Sequence, residues 1–138
     1  YQYPGIPKMK LHEISNKHFS IDGISFIPVR CYHHQLPVYG FRVGDLTYIT
    51  DANFIPPEEI KKITGTRILI INALREEKHI SHFNRTEVLD VIRKIQPEKA
   101  YLTHISHNFG KHCEIQKKLP ENVFPGYDGL EISIGETE

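Results

Sequence analysis

Histidine is the residue type that most clearly indicates chemistry in this sequence. Nine histidines are dispersed along the 138 residues, at His12, His18, His33, His34, His79, His82, His104, His107 and His112. Imidazole is the commonest protein ligand for zinc and similar ions, and it carries protons near neutral pH. The pattern therefore indicates a metal site or an acid–base site.

Three potential metal ligands follow or separate predicted strands. His34, Asp51 and His104 each lie in a loop just beyond a strand or between two strands. Loops at strand ends can bring together groups that are far apart in the sequence, so these side chains are candidate ligands for one ion. A histidine-rich chain also contains such triples by chance, and surface histidines are the alternative interpretation.

Two pairs of histidines have a spacing that places both rings on one side of a helical turn. They are His79 with His82, and His104 with His107. At this i, i+3 spacing one ring could bind a metal while its neighbour orients it or donates a proton. The alternative is that the serine before the second histidine caps a following helix and the rings lie in solvent.

The hydrophobic pattern predicts a mixed α/β layer that would position these residues. Runs rich in β-branched and aromatic residues predict strands. They cover residues 10–14, 18–21, 24–32, 38–43, 46–50, 67–72, 100–103 and 130–134. Start and stop signals predict helices that begin at Pro56-Pro57 and end near Gly65, that cover residues 85–95, and that cover residues 107–119 before Pro120.

The composition is that of an ordinary globular protein, and the length predicts one domain over residues 1–138. The chain has 17 basic and 17 acidic side chains, so its net charge gives no attraction to nucleic acid or to an anionic membrane. Its apolar runs are far shorter than the roughly 20 residues of a membrane-spanning helix. Because it has only two cysteines, a reducing, cytoplasmic location is expected.

The segment from Gly23 to Ile134 resembles the C-terminal half of metallo-β-lactamase-fold hydrolases. Within that family it is most similar to the branch of the cyclic phosphodiesterase of phosphonate breakdown. Five ordered segments carry the resemblance: His34 with Pro37 to Arg42, Tyr48 to Asp51, Asn72 to Arg75 through His79 to Asn84, Leu102 to His107, and Tyr127 to Glu131.

The resemblance implies half of an αββα sandwich, a mixed sheet with helices on one face, and two metal ions at one edge of the intact protein. By position, His34 is similar to the histidine that completes the first metal site. Asp51 is similar to the carboxylate that bridges both metals, and His104 to the final ligand of the second. His82 is similar to a histidine that lies over the substrate phosphate. Two cations would activate a shared water for attack on phosphorus. His82 would either protonate the leaving group or stabilise charge in the transition state.

The sequence departs from the family in two respects. The family's His-x-His-x-Asp-His cluster, which lies in the N-terminal half, is absent. In addition, Asn72 stands where relatives often carry Asp. We therefore expect the N-terminal half to be missing and at most one zinc or manganese ion to be held here. We also expect an exposed apolar sheet face that favours a homodimer or pairing with the missing half.

Three functions follow from this comparison. The first is a phosphodiesterase-like metal-dependent hydrolase that is incomplete as this chain, with a phosphodiester as its small-molecule substrate. The second is a non-catalytic scaffold that self-associates through its uncovered sheet. The third is a relative of the proteins of pyrroloquinoline quinone biosynthesis. The sequence leaves open the substrate, the physiological metal, and the roles of His79, His107 and Asp128.

Overall fold

A seven-stranded sheet forms the centre of the structure, a computed structural model that describes residues 9–134. The strands are β1 Phe19–Ile21, β2 Ile24–His33, β3 Leu36–Val43, β4 Leu46–Ile49, β5 Ile68–Asn72, β6 Lys99–Thr103 and β7 Val123–Pro125. The helices are α1 Pro57–Ile63, α2 Arg85–Ile95 and α3 His112–Lys117, with a short 3-10 helix at His107–Phe109. The predicted mixed α/β class is confirmed.

The strands lie in the sheet in chain order, and the parallel ones end at the same edge. Strands β1 to β4 form an antiparallel meander, whereas β4, β5, β6 and β7 pair in parallel. Parallel neighbours need a crossover connection, and α1, α2 and α3 lie in those connections. Because β2 and β4 run in the same direction, the end of β2 lies at the same edge as the ends of β4, β5 and β6.

One face of the sheet packs against the helices and forms the core. In β5, Leu69 and Ile71 point to this face and are fully buried. Helix α2 covers it with a stripe of apolar side chains at helical spacing: Val88, Val91, Ile92 and Ile95. The α2 prediction is confirmed, and Asn84 caps the helix, since its side chain accepts a hydrogen bond from the Glu87 amide while the Glu87 carboxylate accepts one from the Asn84 amide.

The opposite face, called here the second sheet face, carries a row of apolar residues in register across five strands. The row consists of Phe41, Tyr48, Ile70, Tyr101 and Phe124. Tyr48 is 43% exposed, so this face is only partly covered by the described residues. No helix in residues 9–134 is long and apolar enough to cross a membrane.

Three predicted elements differ from the structure. Residues 10–14 form no strand, and Leu11 is 91% exposed. Residues 130–134 form no strand either, because Leu130 and Ile132 lie over the second sheet face and line a cavity with Tyr101. The predicted helix 107–119 is interrupted at Gly110, whose φ of 114° is outside the helical region. Strand β7 was not predicted.

Candidate metal centre

The two strand-end residues Asp51 and His104 have an unusual backbone conformation. Asp51 follows β4 and His104 follows β6, and their φ angles are 52° and 57°. Left-handed backbone at a residue other than glycine costs about 1–3 kcal/mol and is concentrated at functional sites. Asp22, His34 and Gln96 have the same conformation, so the strain marks this edge of the sheet as a candidate site only together with the distances between its side chains.

Asp51, His82 and His104 form a compact group of potential ligands. The Nε2 atoms of His82 and His104 are 3.2 Å apart. The Oδ1 atom of Asp51 is 3.4 Å from His104 Nε2 and 3.9 Å from His82 Nε2. Ligand atoms of a tetrahedral zinc ion with bonds of about 2.0–2.1 Å are about 3.3 Å apart. The separations of His104 from Asp51 and from His82 both fit that geometry, whereas the separation of Asp51 from His82 is longer.

Two polar atoms of this group are buried without a hydrogen-bond partner. They are Asp51 Oδ1 and His82 Nδ1. An unpartnered buried polar atom costs about 1–3 kcal/mol, more if the group is charged. A cation beside Asp51 would remove this cost, and carboxylate and imidazole are a donor set that suits zinc or manganese. The residues present therefore fit the divalent metal that the fold family implies.

Other histidines surround His82, and they affect its protonation. The ring centroid of His33 is 4.7 Å from that of His82, and the ring centroid of His79 is 5.1 Å away. Burial lowers the pKa of His82 below its ordinary value of 6.5. The charges of His104, His79 and His33 lower this pKa further, and Asp51 opposes them. The net effect is a lowered pKa for His82, which favours its neutral form.

His34 is not part of this group, contrary to the expected convergence of His34, Asp51 and His104. His34 lies in the β2–β3 turn with a φ of 58°, and its side chain is exposed. Its backbone amide donates a hydrogen bond to Asn53 Oδ1. The preceding residue, His33, contacts His82 instead.

His33 could have been identified from the alternation of β2. Val29 and Cys31 are fully buried on the core face, and side chains two residues apart in a strand share a face. The same count places His33 on that face and His34 in the turn. The strand predicted from the sequence ends at residue 32, one residue short of His33.

Asn72 supports the segment that carries Asp51. It is fully buried at the end of β5. Its Nδ2 donates to the Ala52 carbonyl at 2.8 Å, and its Oδ1 accepts from the Ala52 amide at 2.9 Å. An aspartate at this position could not donate the first bond when ionised. The departure from the family pattern at Asn72 thus has a structural role.

Neither serine of the two histidine pairs caps a helix. The Ser81 amide donates to His79 Nδ1 at 3.3 Å, and the cap of α2 is Asn84. The Ser106 side chain makes no cap hydrogen bond to the 3-10 helix that follows it. His107 and Asp128 are exposed and are not among the three grouped ligands, although Asp128 lines a cavity together with His104.

Comparison with known proteins assigns the family. Residues 2–105 match the Beta-lactamase superfamily domain, and the chain belongs to this superfamily. The family expected from the sequence is therefore confirmed. A diphosphatase from the PhnP family has a similar structure, with a TM-score of 0.88 and 30% sequence identity. The similarity covers 91% of this chain and 49% of that one.

More distant structures show the same fold. The metallo-beta-lactamase fold protein YhfI of Bacillus subtilis has a TM-score of 0.72 at 17% identity, over 87% of this chain and 54% of that one. The short form of human tRNase Z has a TM-score of 0.67 at 18% identity, over 86% of this chain and 46% of that one.

A sequence relative from Porphyromonas gingivalis is much longer than this chain. It is named octanoyltransferase and is 37% identical over 136 residues, which are 97% of this chain and 28% of that protein. The chain thus spans little more than a quarter of this relative, and about half of the PhnP-family diphosphatase.

Proposed function

We propose that this chain is part of a metal-dependent hydrolase that cleaves phosphodiesters or diphosphates. The observation that carries the proposal is the convergence of Asp51, His82 and His104, with Asp51 Oδ1 buried and unpartnered. The similarity to a diphosphatase from the PhnP family supports a phosphoryl substrate. Superfamily membership supports hydrolysis and a divalent cation.

Asp51 and His104 are the ligands that this chain offers to the metal. The distance between their donor atoms, 3.4 Å, matches two positions of one coordination sphere. In place of His34, His33 is the histidine of the β2–β3 hairpin that faces the site, since its ring lies beside His82. A divalent ion bound there would polarise a phosphoryl oxygen and lower the pKa of water.

His82 is the residue that contacts the substrate in this proposal. Its side chain is 11% exposed, against 42% for His104, and its ring packs between those of His33, His79 and His104. With a proton on Nε2, the imidazole would donate a hydrogen bond to a phosphoryl or leaving-group oxygen. A donor placed in this way stabilises charge that develops in the transition state.

The intact protein is proposed to hold two ions, with ligands beyond those of this chain. Asp51, His104 and His33 are fewer than two coordination spheres require. The apolar row on the second sheet face supports a matching half that covers it and supplies further ligands. That half would belong to the same polypeptide or to a second copy of this chain.

Metal analysis of variants tests these assignments. In the intact protein, Asp51→Ala and His104→Ala should lose bound zinc or manganese and hydrolysis of bis(p-nitrophenyl) phosphate together. His82→Ala should keep its metal while kcat falls by about 100-fold or more. An octanoyl ester serves as the control substrate, because the longer relative is named octanoyltransferase. The proposed hydrolase should not cleave it.

The control variant for these measurements is His107→Ala, because His107 is exposed and outside the group. It should keep both metal and activity. Equal metal loss in the Asp51, His104 and His82 variants would assign His82 as a ligand. A wild-type protein that binds no divalent metal and cleaves no phosphodiester or diphosphate would overturn the proposed function.

A further inference from the structure

The segment 51–53, directly after β4, is bonded to three other parts of the candidate site. The Ala52 carbonyl accepts a hydrogen bond at 3.0 Å from the amide of Phe83, the residue that follows His82. Ala52 is also held by the two bonds to Asn72 at the end of β5. The third connection is made by the next residue, Asn53, which has no role in the function proposed above.

Asn53 links the two loops on either side of Asp51 through its side-chain amide. Its Oδ1 accepts a hydrogen bond from the His34 amide at 2.8 Å. Its Nδ2 donates to the Ile80 carbonyl at 3.1 Å. The first bond holds the turn that follows His33, and the second holds the loop between His79 and His82. Each bond is therefore within two residues of a histidine of the site.

The chemistry of this position requires a side chain that both accepts and donates. An asparagine amide does both, whereas an ionised aspartate only accepts and an alanine does neither. The backbone of Asn53 is fixed independently, because its amide donates to the Tyr32 carbonyl at 2.8 Å and the Tyr32 amide donates to the Phe54 carbonyl at 2.9 Å. These two backbone hydrogen bonds to Tyr32 in β2 fix the position from which the Asn53 side chain extends.

We propose that Asn53 is a positioning residue that keeps His33 and His82 in place beside Asp51. It contacts neither metal nor substrate and acts through the two loops that it joins. Its effect on metal affinity and turnover rests on the proposed function, but its effect on the loops does not. Outer residues that orient ligands typically change metal affinity or activity by about 10–100-fold when they are replaced.

The matched control is Asn122→Ala. The Asn122 side chain also donates one amide hydrogen bond to a backbone carbonyl, that of Pro97 at 3.3 Å. It precedes β7, so it lies at the opposite edge of the parallel strands from Asp51. Any loss of stability that follows simply from removing a side-chain hydrogen bond to the backbone should occur in both Asn53→Ala and Asn122→Ala.

Amide hydrogen exchange of the intact protein without added metal tests the positioning directly. Asn53→Ala should accelerate exchange at His34 and in residues 79–83 by about tenfold or more. Asn53→Asp keeps the acceptor for the His34 amide, so it should accelerate exchange in residues 79–83 and leave His34 protected. Asn122→Ala should change neither region. Unchanged exchange of both loops in Asn53→Ala would overturn the proposal.

Metal titration and kinetics test the consequence for the site. With zinc or manganese as the probe, Asn53→Ala should weaken metal affinity or lower kcat by about tenfold, with KM for bis(p-nitrophenyl) phosphate changed less than kcat. Asn122→Ala should match the wild type. Equal affinity and kcat in both variants would contradict the role of Asn53. A wild-type protein without metal binding would instead refute the proposed function, and hydrogen exchange would still decide the role of Asn53.

Discussion

His33 and His34 are adjacent, but their side chains have different environments. The ring of His33 lies 4.7 Å from that of His82, whereas His34 is exposed in a left-handed turn conformation with a φ of 58°. We predict that His33→Ala weakens metal affinity of the intact protein by tenfold or more, as expected for loss of a ligand or its neighbour. Equilibrium metal titration of the purified variant measures this.

His34→Gly is the control variant for the predicted effect of His33→Ala on metal affinity. Glycine adopts left-handed backbone without a steric penalty, so this change should leave metal affinity intact and raise the unfolding free energy by up to about 1 kcal/mol. Chemical denaturation measures the difference. A variant at position 34 that loses metal while the His33 variant keeps it would reverse the assignment.

The candidate site was partly predictable residue by residue. Asp51 and His104 were identified because polar residues after strands meet at one sheet edge, and the structure brings them together. The choice between His33 and His34 depended on where β2 ends. Neighbouring residues of a strand point to opposite faces, so an error of one residue selects the wrong histidine. Asn53 could not be identified, because its role depends on hydrogen bonds to loops that are distant in sequence.

At the scale of elements, Glu59 connects helix α1 to strand β2. Its side chain is 2% exposed. Its carboxylate accepts hydrogen bonds from Lys62, Asn16 and the Arg30 backbone amide. Burial alone would raise the pKa of Glu59, but these donors lower it by more, so that it lies below its ordinary value of 4.5.

This arrangement predicts the pH dependence of stability. A carboxylate whose pKa is lower in the folded state stabilises the fold above its unfolded pKa, and this contribution is lost as the pH falls through the folded value. Glu59→Gln should therefore cost about 2 kcal/mol at pH 7. The difference from the wild type should shrink as the pH falls below 4.5. Denaturant unfolding between pH 7 and pH 3 measures it, and a difference that grows on acidification would contradict this account.

The elements that were predicted have strong local signals, and those that were missed do not. Helix α2 combines an apolar stripe with a capping box, and β5 has a continuous apolar run. Strand β7 is only three residues long, Val123–Pro125, and is defined by parallel pairing with β6. Residues 130–134 alternate strictly, but that pattern arises because Leu130 and Ile132 pack over the second sheet face. Tertiary contacts decided both cases.

At the scale of the whole molecule, the second sheet face should determine how the chain associates. The apolar row from Phe41 to Phe124 is in register across five strands. We predict that the 138-residue chain alone forms dimers or larger assemblies in sedimentation experiments. Tyr48→Lys, at an exposed position of the row, should weaken them. A stable monomer at high concentration would contradict this expectation.

The most direct test of the central claim is a crystal structure of the intact protein grown with zinc or manganese, with anomalous diffraction recorded at the metal edge. We predict an anomalous peak within about 2.0–2.2 Å of both Asp51 Oδ1 and His104 Nε2, with His82 adjacent. A structure that shows metal elsewhere, or none at these two atoms under saturating metal, would contradict the assignment of this sheet edge as the metal centre.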